Sequence, residues 1–341
     1  MWGPWTLLLN AVCRIRSGRD SSQGDLVPGS RLAYRSPGTW ARREEYGMSS
    51  GAKKYGILVA VDGSAQSDAA VAWAAREAGL HRTPITLMHG VAPVVVGWPV
   101  GQLYAEMPDW QRDEANSVME RARKVLSEAL GDSESPDVRT EVVYSNVVAA
   151  LIEASTQASM VVVGSQGMGA LGRMLLGSVC SALLHHAHCP VAVVHSDSGA
   201  APDPGAAVVV GIDGSPAAEA ATAMAFEEAS RRGVDLVALH AWSDVGVFPI
   251  LGMDWRERES QGEEILAERL AGWQEQYPDV HVKRSLVCDK PAHWLLEEAQ
   301  HAQLVIVGNR GRGGFPGMLL GSVSSTVAHS AKVPVIVVRP A

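Results

Sequence analysis

Two glycine-rich segments of the chain have the residue types and spacing of an anion site. VVVGSQGMGALGRMLLGS (161–178) and VIVGNRGRGGFPGMLLGS (305–322) both contain G-x-x-G, nine further residues, and G-S. Unpaired loop N–H groups and the positive end of a helix dipole both favour negative charge. A loop of this kind between a buried strand and a helix therefore suits phosphate. Its closing serine can cap the helix or donate its hydroxyl to the phosphate.

Neither segment matches the P-loop pattern G-x-x-x-x-G-K-[ST] or the dinucleotide pattern G-x-G-x-x-G. A glycine-rich turn often serves only to reverse the chain, and that interpretation stays open for either segment taken singly. The same spacing occurs twice, each time behind an aspartate at the end of an upstream strand. This repetition favours a binding role.

The aspartates are Asp62, in LVAVDGS (58–64), and Asp213, in VVGIDGS (209–215). In an open α/β sheet, ligands bind outside the carboxyl ends of the strands, where the strand order reverses. A carboxylate there can accept hydrogen bonds from ribose hydroxyls or an adenine amino group. The alternative is that Asp or Ser only caps the next helix. The two roles are compatible, because the serine of each motif can cap while the aspartate faces a ligand.

The next strand of each copy ends in a histidine, which is His89 in the first copy and His240 in the second. Neither has a nucleophile beside it in the sequence, so we interpret both as hydrogen-bonded core residues. The peptide groups that follow them, at Gly90 and Ala241, are expected near the same strand ends. Main-chain atoms there can pair with the edge of a base.

These motifs belong to a duplicated unit. The paired aspartates and histidines are 151 positions apart, whereas the glycine segments are 144 apart, so the first copy is longer by about seven residues in its middle. Short β-branched runs alternate with helical periodicity, which predicts parallel strands with right-handed helical crossovers. Strands are expected at 57–61, 85–89, 139–144, 160–163 and 191–195, and at 207–212, 234–240, 281–287, 303–307 and 334–338. Helices are expected at 66–79, 109–130, 147–158 and 178–188.

The composition limits the class of protein. The 341 residues include 47% apolar residues, which suits two globular domains. The net charge of −8 gives no general attraction to nucleic acid or anionic lipid. No run approaches the roughly 20 apolar residues of a membrane-spanning helix. Four cysteines without framework spacing fit a reducing cytosol, so we expect a cytoplasmic protein without structural disulfides.

The expected domain boundaries follow from the repeat and from composition. Residues 1–50 are predicted to be a disordered N-terminal extension, 51–197 the first domain, 198–206 a linker and 207–341 the second domain. Met48 lies just before the first clean strand, and we hypothesise that translation naturally begins there.

The combination of a strand-end aspartate with G-x-x-G, nine residues and G-[ST] in a five-stranded α/β domain resembles the ATP-binding class of universal stress proteins. The duplication resembles the tandem-domain form common in actinobacteria, and the resemblance covers residues 51–341. It implies two Rossmann-like (adenine nucleotide alpha hydrolase-like) domains, each with a parallel sheet of order 3-2-1-4-5. It also implies ATP in each copy and pairing of the copies through their last strands.

The resemblance assigns ligand contacts as well. Asp62 and Asp213, and the main chain at Gly90 and Ala241, would contact adenosine. Ribose and phosphates would be held by Gly164, Gly167, Gly177 and Ser178 in the first copy and by Gly308, Gly311, Gly321 and Ser322 in the second. Mg²⁺ is expected through the phosphates, because it prefers their oxygens.

The two loops differ in charge. The second loop has Arg310 and Arg312 where the first has Gln166 and Met168, and the first contains only Arg173. We therefore expect the second site to hold a triphosphate more strongly, and occupancy of the first site stays open.

The function implied is that of an ATP-binding regulator or sensor in stress response or growth control, with an unidentified protein partner. One alternative is a slow ATPase or nucleotidyl-transferring enzyme, although neither loop has a P-loop lysine and no catalytic residue is indicated. The other is a nucleotide-free interaction scaffold. A further homodimer also stays open.

Two weaker patterns carry no assignment. HHAHC (185–189) contains metal-ligand types, but histidines near a helix C-terminus also interact well with the helix dipole. The segments 92–110 and 242–255 combine Pro, Gly and Trp. They are lids or partner surfaces, or else Trp98, Trp110, Trp242 and Trp255 pack against the body, which is the interpretation we favour.

Overall fold

A computed structural model describes residues 53–91, 109–131, 135–167, 176–196, 203–242, 255–313 and 319–340. The expected N-terminal extension with Met48, and most of the expected linker, lie outside the described residues. Trp98 and the greater part of both Trp-containing segments also lie outside them.

Each repeat alternates strands with helices. The first contains β1 (Gly56–Val61), α1 (Ala65–His81), β2 (Ile85–Gly90), α2 (Asp109–Leu130), β3 (Val138–Val143), α3 (Val147–Ser155), β4 (Ala158–Gly164), α4 (Ser178–His186) and β5 (Val191–Val194). The second contains β6 (Ala207–Gly211), α5 (Pro216–Arg232), β7 (Leu236–Ala241), α6 (Trp255–Gln276), β8 (Val282–Val287), α7 (Pro291–Ala299), β9 (Ala302–Gly308), α8 (Ser322–Ser330) and β10 (Val335–Val338).

The described strands form one sheet of order β3-β2-β1-β4-β5-β10-β9-β6-β7-β8. Pairing within each repeat is parallel, so each half has the order 3-2-1-4-5. The predicted fold of two tandem Rossmann-like domains is confirmed. The strand order reverses at β1 and β4 in the first repeat, and at β6 and β9 in the second.

The core occupies both faces of the sheet, because successive residues of a strand point to opposite sides. Ile57 and Val59 of β1 pack with α1 and α2 on one face, whereas Leu58 packs with α3 and α4 on the other. All three are at most 2% exposed. Coverage on both faces explains why these strands are apolar throughout instead of alternating.

The helix predicted over 147–158 is too long. In the structure α3 ends at Ser155, and Ala158 already pairs with Gly56 in the sheet. The apolar pattern continues past the helix end, but the N–H of Tyr55 donates to the carbonyl of Gln157 at 3.1 Å. This contact between distant segments, which local periodicity does not encode, draws the chain into the sheet.

The two repeats join through their last strands, as the family resemblance implies. β5 and β10 pair antiparallel, and side-chain hydrogen bonds beside these strands also cross the junction. Arg339 donates to the carbonyl of Leu184 at 2.6 Å, and Nε2 of His195 lies 3.1 Å from the carbonyl of Ala328. Because the last strands run in opposite directions, the carboxyl ends of the two sets of strands lie at opposite edges of the common sheet.

Helix α6 offers a test of the packing. Gly272 lies in this helix with no atom within 4 Å of the place where a Cβ would be. Gly272→Ala is therefore expected to raise the free energy of unfolding by about 0.5–1 kcal/mol, because alanine loses less backbone entropy in a helix. At Gly262, a Cβ would lie 2.9 Å from Cδ1 of Leu286. Urea denaturation should show a smaller gain, or a loss, for Gly262→Ala; equal gains would contradict this packing.

Candidate functional site

The predicted site residues of each repeat gather at the carboxyl ends of the central strands. Asp62 directly follows β1, and Asp213 lies two residues after β6. β2 and β7 are the neighbouring strands, and they end in Gly90 and Ala241. Each aspartate therefore shares one edge of the sheet with the main-chain position predicted to pair with a base.

Both histidines have the structural role predicted for them. Nδ1 of His89 lies 2.7 Å from the carbonyl of Val61, and Nδ1 of His240 lies 2.7 Å from the carbonyl of Ile212. His240 is buried, and burial lowers its pKa; the charge of Arg312 lowers it further, although the hydrogen bond to Ile212 acts in the opposite direction. These contacts fix the spacing of the strand ends next to each aspartate.

The carboxylates are oriented by the serines of their own motifs. Oδ1 of Asp62 accepts hydrogen bonds from the N–H of Ser64 at 3.0 Å and from its hydroxyl at 2.6 Å. Oδ1 of Asp213 accepts from the N–H of Ser215 at 2.9 Å. The same serine hydroxyls cap α1 and α5. Capping and orientation of the aspartate therefore coexist, as the sequence allowed.

The other carboxylate oxygen faces the glycine loop in both repeats. A Cβ at Gly167 would overlap Oδ2 of Asp62, and a Cβ at Gly311 would overlap Oδ2 of Asp213. In the second repeat, the N–H of Arg312 donates to this oxygen at 3.0 Å. Only glycine allows the loop backbone to approach the carboxylate so closely. The structure thus brings together the aspartate and the loop that the sequence paired by motif alone.

The first glycine of each loop has a packing role. A Cβ at Gly164 would lie 2.8 Å from the carbonyl carbon of Gln66, and one at Gly308 would lie 2.6 Å from that of Ala217. The first turns of α1 and α5 thus rest on the strand ends. Contact of these two glycines with ribose or phosphate stays a prediction.

Each loop returns to its starting point. The N–H of Gly177 donates to the carbonyl of Ser165 at 2.8 Å, and that of Gly321 to the carbonyl of Asn309 at 2.7 Å. The cap position of α4 and α8 is the glycine itself, and no side chain caps either helix. The capping alternative for Ser178 and Ser322 is therefore wrong, because these serines are the first helical residues. An uncapped helix N-terminus at the base of a loop is a favourable place for an anion.

The second loop places the main chain of both of its arginines next to the aspartate motif. The carbonyl of Arg310 accepts from the hydroxyl of Ser215 at 3.1 Å, and its Nε is buried with no hydrogen-bond partner among the described residues. Arg312 is exposed. At the position of Arg310 the first repeat has Gln166, which is uncharged.

The main chain at Gly90 and Ala241 continues the strand pairing to the edge of the sheet. Gly90 pairs with Val143 in β3, and Ala241 pairs with Val287 in β8. A Cβ at Gly90 would overlap the side chain of Val147, so this glycine also lets α3 pack closely. Contact of either main chain with a base stays a prediction.

Sequence reasoning missed three polar residues that support the site. The hydroxyl of Ser67 accepts from the N–H of Asp62 at 3.2 Å, and that of Ser324 donates to the carbonyl of Gly308 at 2.5 Å. The side-chain amide of Asn309 donates to the carbonyl of Leu319 at 3.2 Å. Asn309 and Ser67 are buried. A polar residue directly after the first loop glycine was the available signal for Asn309.

The arrangement matches a known family. The family model described as Universal stress protein family matches residues 56–195 and 206–339. The chain belongs to the universal stress protein family. A universal stress protein of Mycolicibacterium smegmatis is 60% identical over 86% of this chain and 100% of its own length. A universal stress protein of Mycobacterium tuberculosis is 52% identical over 86% of this chain and 99% of its own length.

A solved structure has the same fold. The crystal structure of a universal stress protein from Archaeoglobus fulgidus superposes with a TM-score of 0.59 and 20% sequence identity, covering 83% of this chain and 98% of that one. Among the described helices of this universal stress protein, none is long and apolar enough to cross a membrane.

The weaker patterns have separate outcomes. In HHAHC, Nδ1 of His185 lies 2.7 Å from the carbonyl of Ser181, and burial raises the pKa of the Cys189 thiol to about 12. Within the part of the chain that the structure describes, three ligating atoms do not converge in this segment. Trp110 is 58% exposed, so the favoured interpretation that it packs against the body is wrong.

Proposed function

We propose that each repeat binds an adenine nucleotide, with ATP as the ligand and Mg²⁺ held through its phosphates. The chain would act as a nucleotide-dependent regulator or sensor in stress response or growth control, through a protein partner. The observation that carries this proposal is the repeated contact between a strand-end carboxylate and the backbone of a glycine loop that leads to an uncapped helix.

The two parts of this arrangement suit the two ends of a nucleotide. The carboxylate accepts hydrogen bonds, which ribose hydroxyls and the adenine amino group can donate. The loop amides and the N-terminus of α4 or α8 attract phosphate. The chain as a whole has a net charge of −8. The attraction for a phosphate must therefore be local, and in the second repeat Arg310 and Arg312 add to it.

Regulation follows from the link between strand and loop. The hydrogen bond from the N–H of Arg312 to Asp213 holds the second loop against the strand end. A nucleotide that engages either group competes with this bond, so its binding changes the position of the loop. A partner that contacts the loop would then distinguish the nucleotide-bound protein from the free protein.

The two sites lend themselves to separate measurement, because they lie at opposite edges of the sheet. Calorimetric titration of the whole chain with Mg-ATP is expected to show two binding events. Asp62→Ala should leave only the second site and Asp213→Ala only the first. The second should be tighter by roughly 10–100-fold, since each hydrogen bond to a charged group contributes about 1.5–3 kcal/mol.

The arginines supply the matched control for this ranking. Exchanging Arg310→Gln and Arg312→Met gives the second loop the residues of the first at these two positions, and should lower its affinity for ATP towards that of the first site. Arg284→Gln, a change at an exposed arginine that contacts Gln274, should leave both affinities unchanged. Tighter binding after Asp213→Ala than after Asp62→Ala would contradict the ranking. The absence of both binding events would refute the proposed function.

A further inference from the structure

A buried group of charged side chains lies where α1 and α5 meet, between the two repeats and away from the nucleotide loops. Glu77 and His81 come from α1, and Glu228 and Arg232 come from α5. The glutamate side chains are at most 2% exposed, His81 is 10% exposed and Arg232 is 12% exposed. Nη2 of Arg232 lies 2.6 Å from Oε1 and 2.7 Å from Oε2 of Glu77, and 3.0 Å from Oε2 of Glu228.

The group is symmetric in position but not in residue type. Glu77 and Glu228 are equivalent positions of the repeat, and so are His81 and Arg232. On the side of the second repeat, long side chains fill the group. Nη1 of Arg232 also donates to Oε1 of Gln303 at 3.0 Å. On the side of the first repeat, His81 is shorter than the equivalent Arg232, and Ser159 is shorter than the equivalent Gln303.

The shorter half contains polar atoms without hydrogen bonds. Nε2 of His81, Oε1 of Glu228 and Oγ of Ser159 are buried and have no hydrogen-bond partner among the described residues. Such atoms are rare in folded proteins and call for an explanation. The corresponding atoms on the Arg232 side are paired. The unpaired atoms therefore mark the place that a second arginine would fill if the repeats were identical.

Nε2 of His81 lies close to Oε1 of Glu228 but is not directed at it. Nε2 of His81 lies 2.8 Å from Oε1 of Glu228 and 3.6 Å from Oε2 of Glu77. The shorter distance does not make a hydrogen bond, because a ring N–H would not point at the oxygen. An oxygen beside the lone-pair axis of an imidazole nitrogen is poorly placed for a hydrogen bond. It is well placed to share an ion that the nitrogen binds along that axis.

The balance of charge in this group also favours a bound cation. Two carboxylates share one guanidinium at hydrogen-bond distance. Arg76, whose pKa is lowered by burial, is a further cation whose charge acts on Glu77, but it donates no hydrogen bond to either carboxylate among the described contacts. The second carboxylate therefore gains a direct partner of opposite charge only if His81 takes up a proton or a cation binds. Buried charges are paired or coordinate metals in folded proteins.

We propose that Glu77, His81 and Glu228 form a divalent transition-metal site between the repeats, with Zn²⁺ as the ion that suits two carboxylates and an imidazole. Their ligating atoms already lie within 4.8 Å of one another. Ligands at about 2.0–2.2 Å from Zn²⁺ require only small movements from this arrangement. Arg232 donates hydrogen bonds to both carboxylates, as outer partners of metal ligands do. The ion would join α1 to α5 and so tie the repeats together.

The competing occupant is a proton on His81. Burial lowers the pKa of His81, but the two glutamates outweigh this effect and raise it to about 9. A proton would balance the charge of the group. It would still leave the ring N–H directed away from Oε1 of Glu228 and Ser159 without a partner, and for this reason we favour the ion.

The test is metal content and affinity in the full chain without nucleotide. Zn²⁺ titration, and the visible spectrum of the Co²⁺ form, should show one buried site with nitrogen and oxygen ligands. His81→Arg makes the group symmetric and should fold with no metal, so that Zn²⁺ binding weakens by more than about 100-fold, beyond the effect of losing an outer partner. His81→Gln should have the same effect on Zn²⁺ if the arginine proves too large.

Two controls separate this site from others. His293 and Glu297 form an exposed pair four residues apart on α7, with 4.0 Å between them, so His293→Arg should leave Zn²⁺ binding unchanged. His81→Arg should also retain Mg-ATP binding, which separates this proposal from the proposed function. Equal Zn²⁺ affinity in the wild type and His81→Arg would overturn the proposal. A wild type that binds no Zn²⁺, with His81 protonated by NMR, would also overturn it.

Discussion

Gly311→Ala is expected to weaken ATP binding at the second site by at least about 100-fold. The added methyl group would overlap Oδ2 of Asp213, so the carboxylate or the loop must move. Either movement takes the carboxylate or the loop amides away from the positions proposed to contact ATP. Loss of one hydrogen bond between ATP and the carboxylate contributes about 1.5–3 kcal/mol, and displacement of the loop from the phosphates adds to it.

The measurement is calorimetric titration in an Asp62→Ala background, in which only the second site binds. Gly167→Ala in an Asp213→Ala background is the matched variant, because Gly167 makes the same close approach to Asp62. Gly272→Ala, at a position where an added Cβ has no atom within 4 Å, is the neutral control. If Gly311→Ala bound ATP as well as its parent did, the contact between carboxylate and loop would not belong to the binding site.

Arg232→Ala is expected to lower the free energy of unfolding by about 3–5 kcal/mol. This is the usual cost of removing one partner from a buried ion pair, since the remaining charge stays buried without compensation. Burial tends to raise the pKa of Glu77, but His81 and Arg232 together hold it below its ordinary value. Without Arg232, two carboxylates would have His81 as their only direct partner, with the charge of Arg76 acting on Glu77. Urea denaturation in EDTA, which removes bound metal, gives the change in midpoint.

The neighbouring residue is the control for this prediction. Arg231 is on the same helix and pairs with Glu227 at 2.7 Å, with the same spacing of four residues. Its side chain is 33% exposed, and pairs near the surface contribute about 0–1 kcal/mol. Arg231→Ala should therefore cost far less than Arg232→Ala. Equal costs for the two variants would show that burial of the group does not determine its strength.

The strands of the sheet could be predicted from the sequence, because the pattern that defines each strand lies within a few consecutive residues. Each strand is a short β-branched run, and each repeat places Asp62 or Asp213 at a strand end and a glycine loop behind a later strand. The strand order came from resemblance to a family and not from the residues alone. The end of α3 was predicted too late, because the bond between Tyr55 and Gln157 joins segments that are about a hundred residues apart.

The group at the contact of α1 and α5 was not predictable in the same way. Glu77 and His81, read along α1, look like one charged pair on a solvated helix face. The partners Glu228 and Arg232 are 151 positions away, and the contact exists only because β5 and β10 pair antiparallel. The capping role predicted for Ser178 and Ser322 was wrong for a local reason. A glycine already occupies the cap position of each helix, so these serines are the first helical residues.

The antiparallel union of β5 and β10 has a further result for how the protein can evolve. When two separate subunits associate around a twofold axis, every substitution appears on both sides of the axis at once. Here the halves are encoded in one polypeptide, so a change in one half leaves the other untouched. His81 opposite Arg232, and Gln166 opposite Arg310, are differences that a homodimer of identical subunits could not contain. Covalent linkage therefore permits the pockets and the contact between them to specialise independently.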